Sequence, residues 1–190
     1  DETVILRGMS LYWSQWQDQY WNSDVIGWLA HDWKSNVVRA AMGVDQGGSG
    51  YLYNDDHHIE LVETAVESAI DWGMYIIIDW HDHNANDHEE ESAEFFAKMA
   101  KKYGHYPNVI YEIFNEHESQ GWPNTIKPYS QNIVDTIRKY DPDNLIIVGT
   151  GTWSQRVDIA ARNPITGTNL AYAFHFYASD YRHSQNLRNL

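Results

Sequence analysis

Short apolar runs rich in β-branched and aromatic residues alternate along the chain with longer stretches whose apolar residues recur every three or four positions. The short runs predict six strands, at residues 4–9, 36–41, 74–80, 109–114, 145–149 and 171–176. The longer stretches predict five amphipathic helices, at residues 23–34, 57–72, 88–103, 125–140 and 154–162. Strict alternation of strand and helix is typical of a parallel sheet built from βα units.

The spacing of the predicted strands narrows the fold class to α/β but leaves two architectures open. Successive strands begin roughly 30 to 40 residues apart, which suits βαβ crossovers in an open six-stranded sheet and in part of an eight-stranded barrel. No linker or low-complexity tract interrupts the alternation, so we expect a single domain over residues 1–190.

Composition removes several classes of partner. The formal net charge is -14, with 27 acidic and 13 basic residues, which argues against nucleic acid and anionic membranes. The chain contains no cysteine, so a disulfide framework and thiolate metal sites are excluded. The nine Trp and thirteen Tyr residues suit sugar binding, because a flat ring stacks on the apolar face of a pyranose. The alternative is that these rings fill the core.

Polar residues cluster where the predicted strands end. Arg39 ends the second strand, His81 the third, Asn115 and Glu116 the fourth, and His175 the sixth. Each has an ordinary structural alternative: an ion pair for the arginine, a core position for His81 and a helix-start acid for Glu116. Because catalytic groups of parallel barrels lie at the carboxyl ends of several strands, their joint occurrence predicts one shared site.

The fourth strand carries the most specific signal. Residues 109–116, Val-Ile-Tyr-Glu-Ile-Phe-Asn-Glu, resemble the strand-four signature of glycoside hydrolase family 5, whose members of the cellulase type are (β/α)8 TIM barrels. Residues 6–10, 38–42, 76–81, 147–155 and 173–178 resemble the family's first, second, third, fifth and sixth strands in the same order. The resemblance implies an N-terminal portion of the catalytic domain, with about six of the eight βα units.

The resemblance also implies a function and a set of site residues. It implies a retaining endo-β-1,4-glucanase, secreted, that acts on β-1,4-glucan by double displacement without a cofactor or metal; cellulose, mixed-linkage glucan and mannan stay open as substrates. Glu116 matches the acid/base, and Asn115 the amide that binds the sugar 2-hydroxyl. Arg39, His175 and Tyr177 match residues around the nucleophile. The implied substrate-binding residues are His81, Trp16, Trp153 and Tyr12.

Two departures from the family accompany these assignments. His117 stands where the signature has proline, and we expect a local change in the loop after strand four. The family's nucleophile is a Glu on strand seven, which this chain does not reach, so a missing segment or a second chain is expected to close the barrel. Glu112 and Asp79 are expected to lie in lower layers of the barrel. Burial and a neighbouring carboxylate are expected to raise the pKa of the acid.

Two rival hypotheses remain. The His81-Asp82-His83 segment, with His88 nearby, contains a His-x-His pair of the kind that binds zinc, which would indicate a metal-dependent hydrolase. A non-catalytic glucan-binding module or pseudoenzyme would keep the stacking Trp residues and lack the nucleophile.

Overall fold

The computed structural model describes residues 3–177 and 179–181. Its single sheet contains six parallel strands in sequence order, β1 to β6: Gly8–Ser10, Val37–Gly43, Tyr75–His81, Val109–Glu112, Ile146–Val148 and Leu170–Tyr172. Among the described residues, β1 and β6 each pair with one strand only. The six strands and their parallel order confirm the α/β prediction, and the sheet corresponds to part of a (β/α)8 barrel.

Seven helical segments, α1 to α7, connect the strands: Ser14–Gln17, Ser23–His31, Asp55–Asp71, Glu89–Tyr103, Lys127–Arg138, Gly151–Ser154 and Val157–Arg162. Side chains begin two of the longer helices, since the amides of Asn22 and Asn54 accept backbone hydrogen bonds at the starts of α2 and α3. Three glutamates occupy the first turn of α4, where the helix dipole favours negative charge.

Burial of the strands on both faces explains how the sheet and the helices pack. Strand β2 is buried along almost its whole length, as expected for a strand with side chains packed on both faces. The apolar face predicted for α3 packs into the same core through Ile59, Val62, Ala65, Val66 and Ala69. A continuous apolar layer between sheet and helices therefore holds the strand ends in place.

Several predicted boundaries are wrong. The sixth strand, predicted at residues 171–176, is Leu170–Tyr172. The first strand is shorter than residues 4–9, because Val4 and Ile5 are about 60% exposed and only Gly8–Ser10 pairs with β2. The last predicted helix does not begin at Ser154. Its regular part is Val157–Arg162, and Gly151–Ser154 forms a separate turn with a left-handed backbone. Residue 178 of the sixth matching segment lies outside the described residues.

Within residues 3–177 and 179–181, no helix combines the length and the apolarity that crossing a membrane requires.

Candidate active site

Arg39 binds the two buried carboxylates at the base of the site. From the middle of β2 its guanidinium donates to both carboxylate oxygens of Glu112, at 2.7 and 3.1 Å, and lies 2.9 Å from the carboxylate of Asp79. Burial alone would lower the pKa of Arg39, but the charges of these two acids raise it well above its usual range. Glu112 and Asp79 therefore act as its counter-ions, in the lower position that the sequence predicted for them.

The same guanidinium orients Asn115. Its Nη2 donates to Oδ1 of Asn115 at 2.9 Å. Because arginine only donates, the amide oxygen faces Arg39, and the amide nitrogen with its two hydrogens lies on the other side of the group. This orientation suits an amide that donates to a sugar hydroxyl.

His81 is held by a carboxylate beneath it. Its Nδ1 lies 2.5 Å from Oδ2 of Asp79, which is fully buried. The carboxylate accepts a hydrogen bond from the Nδ1–H group and so fixes the ring orientation, as in many catalytic and metal-binding histidines. The ring of Trp13 packs edge-on against His81, with centroids 4.2 Å apart. Trp13 was absent from the predicted site, although it lies beside two predicted residues.

The aromatic residues predicted at the first strand form one cluster. Trp16 packs against Trp13 at 5.0 Å and Tyr12 lies 6.2 Å from Trp16, between ring centroids. Tyr12 and Trp16 are both exposed. Trp13 therefore links the two predicted sugar-binding residues to His81 and so to the strand ends.

Glu116 lies at the centre of the predicted group. Its Oε1 is 2.8 Å from Nδ1 of His175, which follows strand β6. Burial raises the pKa of the Glu116 carboxyl, but the hydrogen bond and the charge of His175 lower it by more. His83 and His81 lower it further, so the net pKa lies below its ordinary value. The prediction of a raised pKa is wrong for this set of residues, because histidines rather than acids surround the carboxyl.

An open cavity of about 570 Å³ begins at Glu116. Its lining includes Trp153, His175 and Tyr177, three of the residues predicted for the site. Trp153 is about half exposed and stands on the left-handed turn after strand β5. The cavity therefore joins the predicted acid to a predicted stacking platform.

His117 turns inward instead of lining the cavity. It is fully buried, its ring packs on Phe114 with centroids 3.1 Å apart, and neither ring nitrogen has a hydrogen-bond partner within the described residues. Burial lowers the pKa of His117 to about 2. Its carbonyl accepts the backbone N–H of Trp153 at 2.7 Å. The local change expected at this position thus consists of a neutral buried imidazole whose backbone supports the Trp153 turn.

The histidines of the rival metal hypothesis have separate partners. His83 Nδ1 lies 3.1 Å from the carbonyl of Glu116, and His88 Nδ1 lies 2.7 Å from Oδ2 of Asp82. Among the residues that the structure describes, no group of three or more His, Asp or Glu side chains is arranged to hold a metal ion. His83 instead ties the loop after β3 to the loop after β4.

Six parallel strands that neighbour each other in sequence order, with polar side chains at their carboxyl ends, place the chain among βα-barrel proteins with a site at the top of the barrel. The model of the family described as cellulase, glycosyl hydrolase family 5, matches residues 1–189. The chain belongs to this family.

Several relatives and solved structures are similar to the chain. Endoglucanase Z of Dickeya dadantii is 50% identical over 192 residues, which cover 100% of this chain and 44% of the relative. Endoglucanase A of Evansella cellulosilytica is 48% identical and is matched over 99% of this chain and 38% of its own length. The chain thus spans about two fifths of these curated relatives.

Two solved structures have the same fold over nearly the whole of this chain. A structure from Cytophaga hutchinsonii superposes with a TM-score of 0.93 at 48% identity, covering 98% of this chain and 61% of that one. The catalytic domain of an endoglucanase from Thermobifida fusca gives a TM-score of 0.91 at 33% identity, with 98% and 64% covered.

Proposed function

We propose that the protein containing this chain is a retaining endo-β-1,4-glucanase in which Glu116 serves first as general acid and then as general base. The observation that carries the proposal is the position of Glu116. Its carboxyl lies on the wall of an open cavity, between His175 and the half-exposed Trp153. A carboxyl in such a cleft is placed to protonate the oxygen of a glycosidic bond.

The relatives support a β-glucan as substrate. The similar curated proteins are named endoglucanases, and a variant of the Thermobifida fusca catalytic domain was solved with cellotetraose. The exposed rings of Trp16 and Trp153 suit the stacking of glucosyl units. Asn115, oriented by Arg39, supplies amide donors for the sugar 2-hydroxyl.

A retaining mechanism needs a second carboxylate about 5 to 5.5 Å from the acid. Glu112 is unsuited to this role, because Arg39 binds both of its oxygens and the side chain is buried. We therefore propose that the nucleophile is supplied from outside residues 1–190. A carboxylate there acts on Glu116 in the opposite direction to the histidines and raises the pKa of the acid.

A second candidate is a glucan-binding module without hydrolytic activity. The observation that favours it is the ion pairing of Glu112 with Arg39, which leaves this carboxylate unable to act as the nucleophile. In this case the Trp platforms bind glucan and the cleft releases no product.

The test compares the full-length protein and the 190-residue chain, each with Glu116→Gln and with Glu118→Gln as the control. Glu118 is exposed on the same loop, two residues along the chain. Hydrolysis of carboxymethyl-cellulose that is lost with Glu116→Gln and kept with Glu118→Gln supports the proposal. Binding of cello-oligosaccharide by the folded full-length protein without hydrolysis supports the binding module instead.

Secretion is a further part of the proposal, because polymeric glucan lies outside the cell. Detection of the protein in the culture medium of its source tests this part. Retention of the protein inside the cells contradicts it.

A further inference from the structure

The turn that carries Trp153 has an unusual backbone. Thr152, Trp153 and Ser154 are consecutive residues with φ angles of 57°, 51° and 54°. Residues other than glycine, asparagine and aspartate rarely adopt this left-handed region, and then singly. A run of three persists only where the surrounding structure holds it, and such strain is concentrated at functional sites.

The side chain of Ser154 holds this turn. Its fully buried hydroxyl accepts the backbone N–H of Thr150 at 3.2 Å and donates to the carbonyl oxygen of Asn115 at 2.8 Å. The direction of the second bond is fixed, because a carbonyl only accepts. Ser154 thus connects the end of strand β5 to the end of strand β4.

Backbone contacts complete the connection. The carbonyl of Ser154 accepts the N–H of His175 at 2.8 Å, and the N–H of Trp153 donates to the carbonyl of His117. The Asn115 carbonyl belongs to the peptide bond that precedes Glu116. The turn is therefore bonded on both sides of the acid and to the histidine that contacts it.

We propose that Ser154 is a positioning residue for the leaving-group side of the cleft. Its hydroxyl keeps the Trp153 platform and the backbone of Glu116 at a fixed separation. This inference rests on the proposed function, because it assigns Ser154 to the step in which Glu116 protonates the departing sugar. Ser154 itself contacts neither the cavity nor the substrate, since its side chain is fully buried.

The test compares two substrates of the full-length protein. Cellotetraose has a sugar leaving group that needs both the platform and the proton, whereas 2,4-dinitrophenyl β-cellobioside has a leaving group that departs without protonation. We expect Ser154→Ala to lower the ratio of kcat/KM for cellotetraose over the aryl cellobioside about tenfold, because the buried hydrogen bonds of the hydroxyl to Asn115 and Thr150 are lost.

Two variants separate the hydroxyl from other effects. Ser154→Gly removes the hydroxyl and also relieves the left-handed strain, so an equal fall in the ratio assigns the effect to the hydroxyl. Ser130→Ala is the control, because Ser130 is a fully buried serine on α5 whose hydroxyl has no partner among the described residues. We expect Ser130→Ala to leave the ratio unchanged.

Each outcome decides the proposal. An unchanged ratio overturns the proposal, whether kcat/KM falls equally on both substrates or on neither, because a merely structural role affects both substrates alike. If the wild type hydrolyses neither substrate, the proposed function fails, and amide hydrogen exchange decides the positioning role. Exchange at Trp153 and His175 that is at least tenfold faster in Ser154→Ala than in Ser130→Ala supports it, and equal exchange overturns it.

Discussion

Nδ1 of His175 lies 2.8 Å from Oε1 of Glu116, and Nε2 of the same ring lies 3.8 Å from Oε1 of Glu112. One imidazole therefore spans the proposed acid and the buried carboxylate that neutralises Arg39. The ring and the guanidinium together separate the two acids, so that only Glu116 faces the cavity.

Removal of this imidazole is predicted to raise the pKa of Glu116. In His175→Ala the hydrogen bond and the charge that lower the pKa are lost, while the contribution of burial, which raises it, remains. Carbon-13 NMR titration of the glutamate side chains measures the change, and Glu116→Gln identifies the resonance. A pKa that stays constant or falls contradicts the assignment of His175 as the main cause.

His117 is predicted to make stability depend on pH. Its pKa is about 2 in the folded chain, and an unfolded histidine has a pKa of about 6.5. Below about pH 6.5 the unfolded state binds a proton that the folded state does not. The free energy of unfolding therefore decreases as the pH is lowered, by roughly 2 kcal/mol at pH 5.

The variant His117→Leu keeps the ring site apolar and removes this proton. We expect the loss of unfolding free energy between pH 8 and pH 5, measured by urea denaturation, to become about 2 kcal/mol smaller than in the wild type. If the variant and the wild type lose the same unfolding free energy between pH 8 and pH 5, protonation of His117 does not contribute to the pH dependence, and the prediction is wrong.

Substitutions at Arg39 and Glu112 are predicted to affect stability and activity differently. Arg39→Met leaves Glu112 and Asp79 buried without their guanidinium partner, and we expect a loss of about 3 kcal/mol in unfolding free energy. The double variant Arg39→Met with Glu112→Leu removes one of the two stranded acids and is expected to recover part of this loss, because Asp79 stays buried without Arg39. Activity stays low in the double variant, because the amide of Asn115 has lost its donor.

Denaturant unfolding and assays on one cello-oligosaccharide measure the two quantities on the same preparations. Recovery of activity together with stability in the double variant contradicts the orienting role of Arg39.

The left-handed turn is predicted to cost stability at Thr152, which is exposed and whose side chain makes no hydrogen bond that supports the turn within the described part of the chain. Thr152→Gly is expected to stabilise the protein by about 1 kcal/mol, because glycine adopts this backbone without a steric penalty. The Ser154 contacts are untouched. Thr125→Gly, in the helical turn before α5, is the control and is expected to destabilise. A destabilised Thr152→Gly variant shows that the turn carries little strain.

The period of apolar residues was sufficient to predict which segments form strands and helices, but not the order of the strands in the sheet. It predicted all six strands and the regular part of five helices, because each element buries one face in a shared core. The short first strand was predicted too long, since apolar Val4 and Ile5 match the strand pattern but have no pairing partner in the described sheet.

The sequence predicted that Arg39, His81, Asn115, Glu116 and His175 lie close together, but not their electrostatics. Four of these residues lie at or just after the ends of parallel strands, whereas Arg39, predicted at the end of the second strand, lies in the middle of β2 and reaches the others through its long side chain. The direction of the pKa shift of Glu116 depends on distances to three histidines, which spacing along the chain does not reveal.

Ser154, the last residue of the left-handed turn, was predicted as the first residue of a helix. Thr, Trp and Ser carry no local preference for positive φ, and the turn exists because buried contacts from Asn115 and His117 hold it. Trp13 was missed for a related reason. Trp13 follows β1 and contacts His81 at the end of β3, so the contact depends on the fold of the sheet. In the sequence, nothing distinguishes Trp13 from the neighbouring Tyr12 and Trp16.

The acid/base role of Glu116 is tested most directly by azide rescue of Glu116→Ala in the full-length protein with 2,4-dinitrophenyl β-cellobioside. The activated leaving group departs without the acid, and azide then replaces the water that needs a general base. We predict that azide restores turnover and yields β-cellobiosyl azide, while cellotetraose stays uncleaved. Full activity of Glu116→Ala on cellotetraose, or the absence of any azide product, would contradict it.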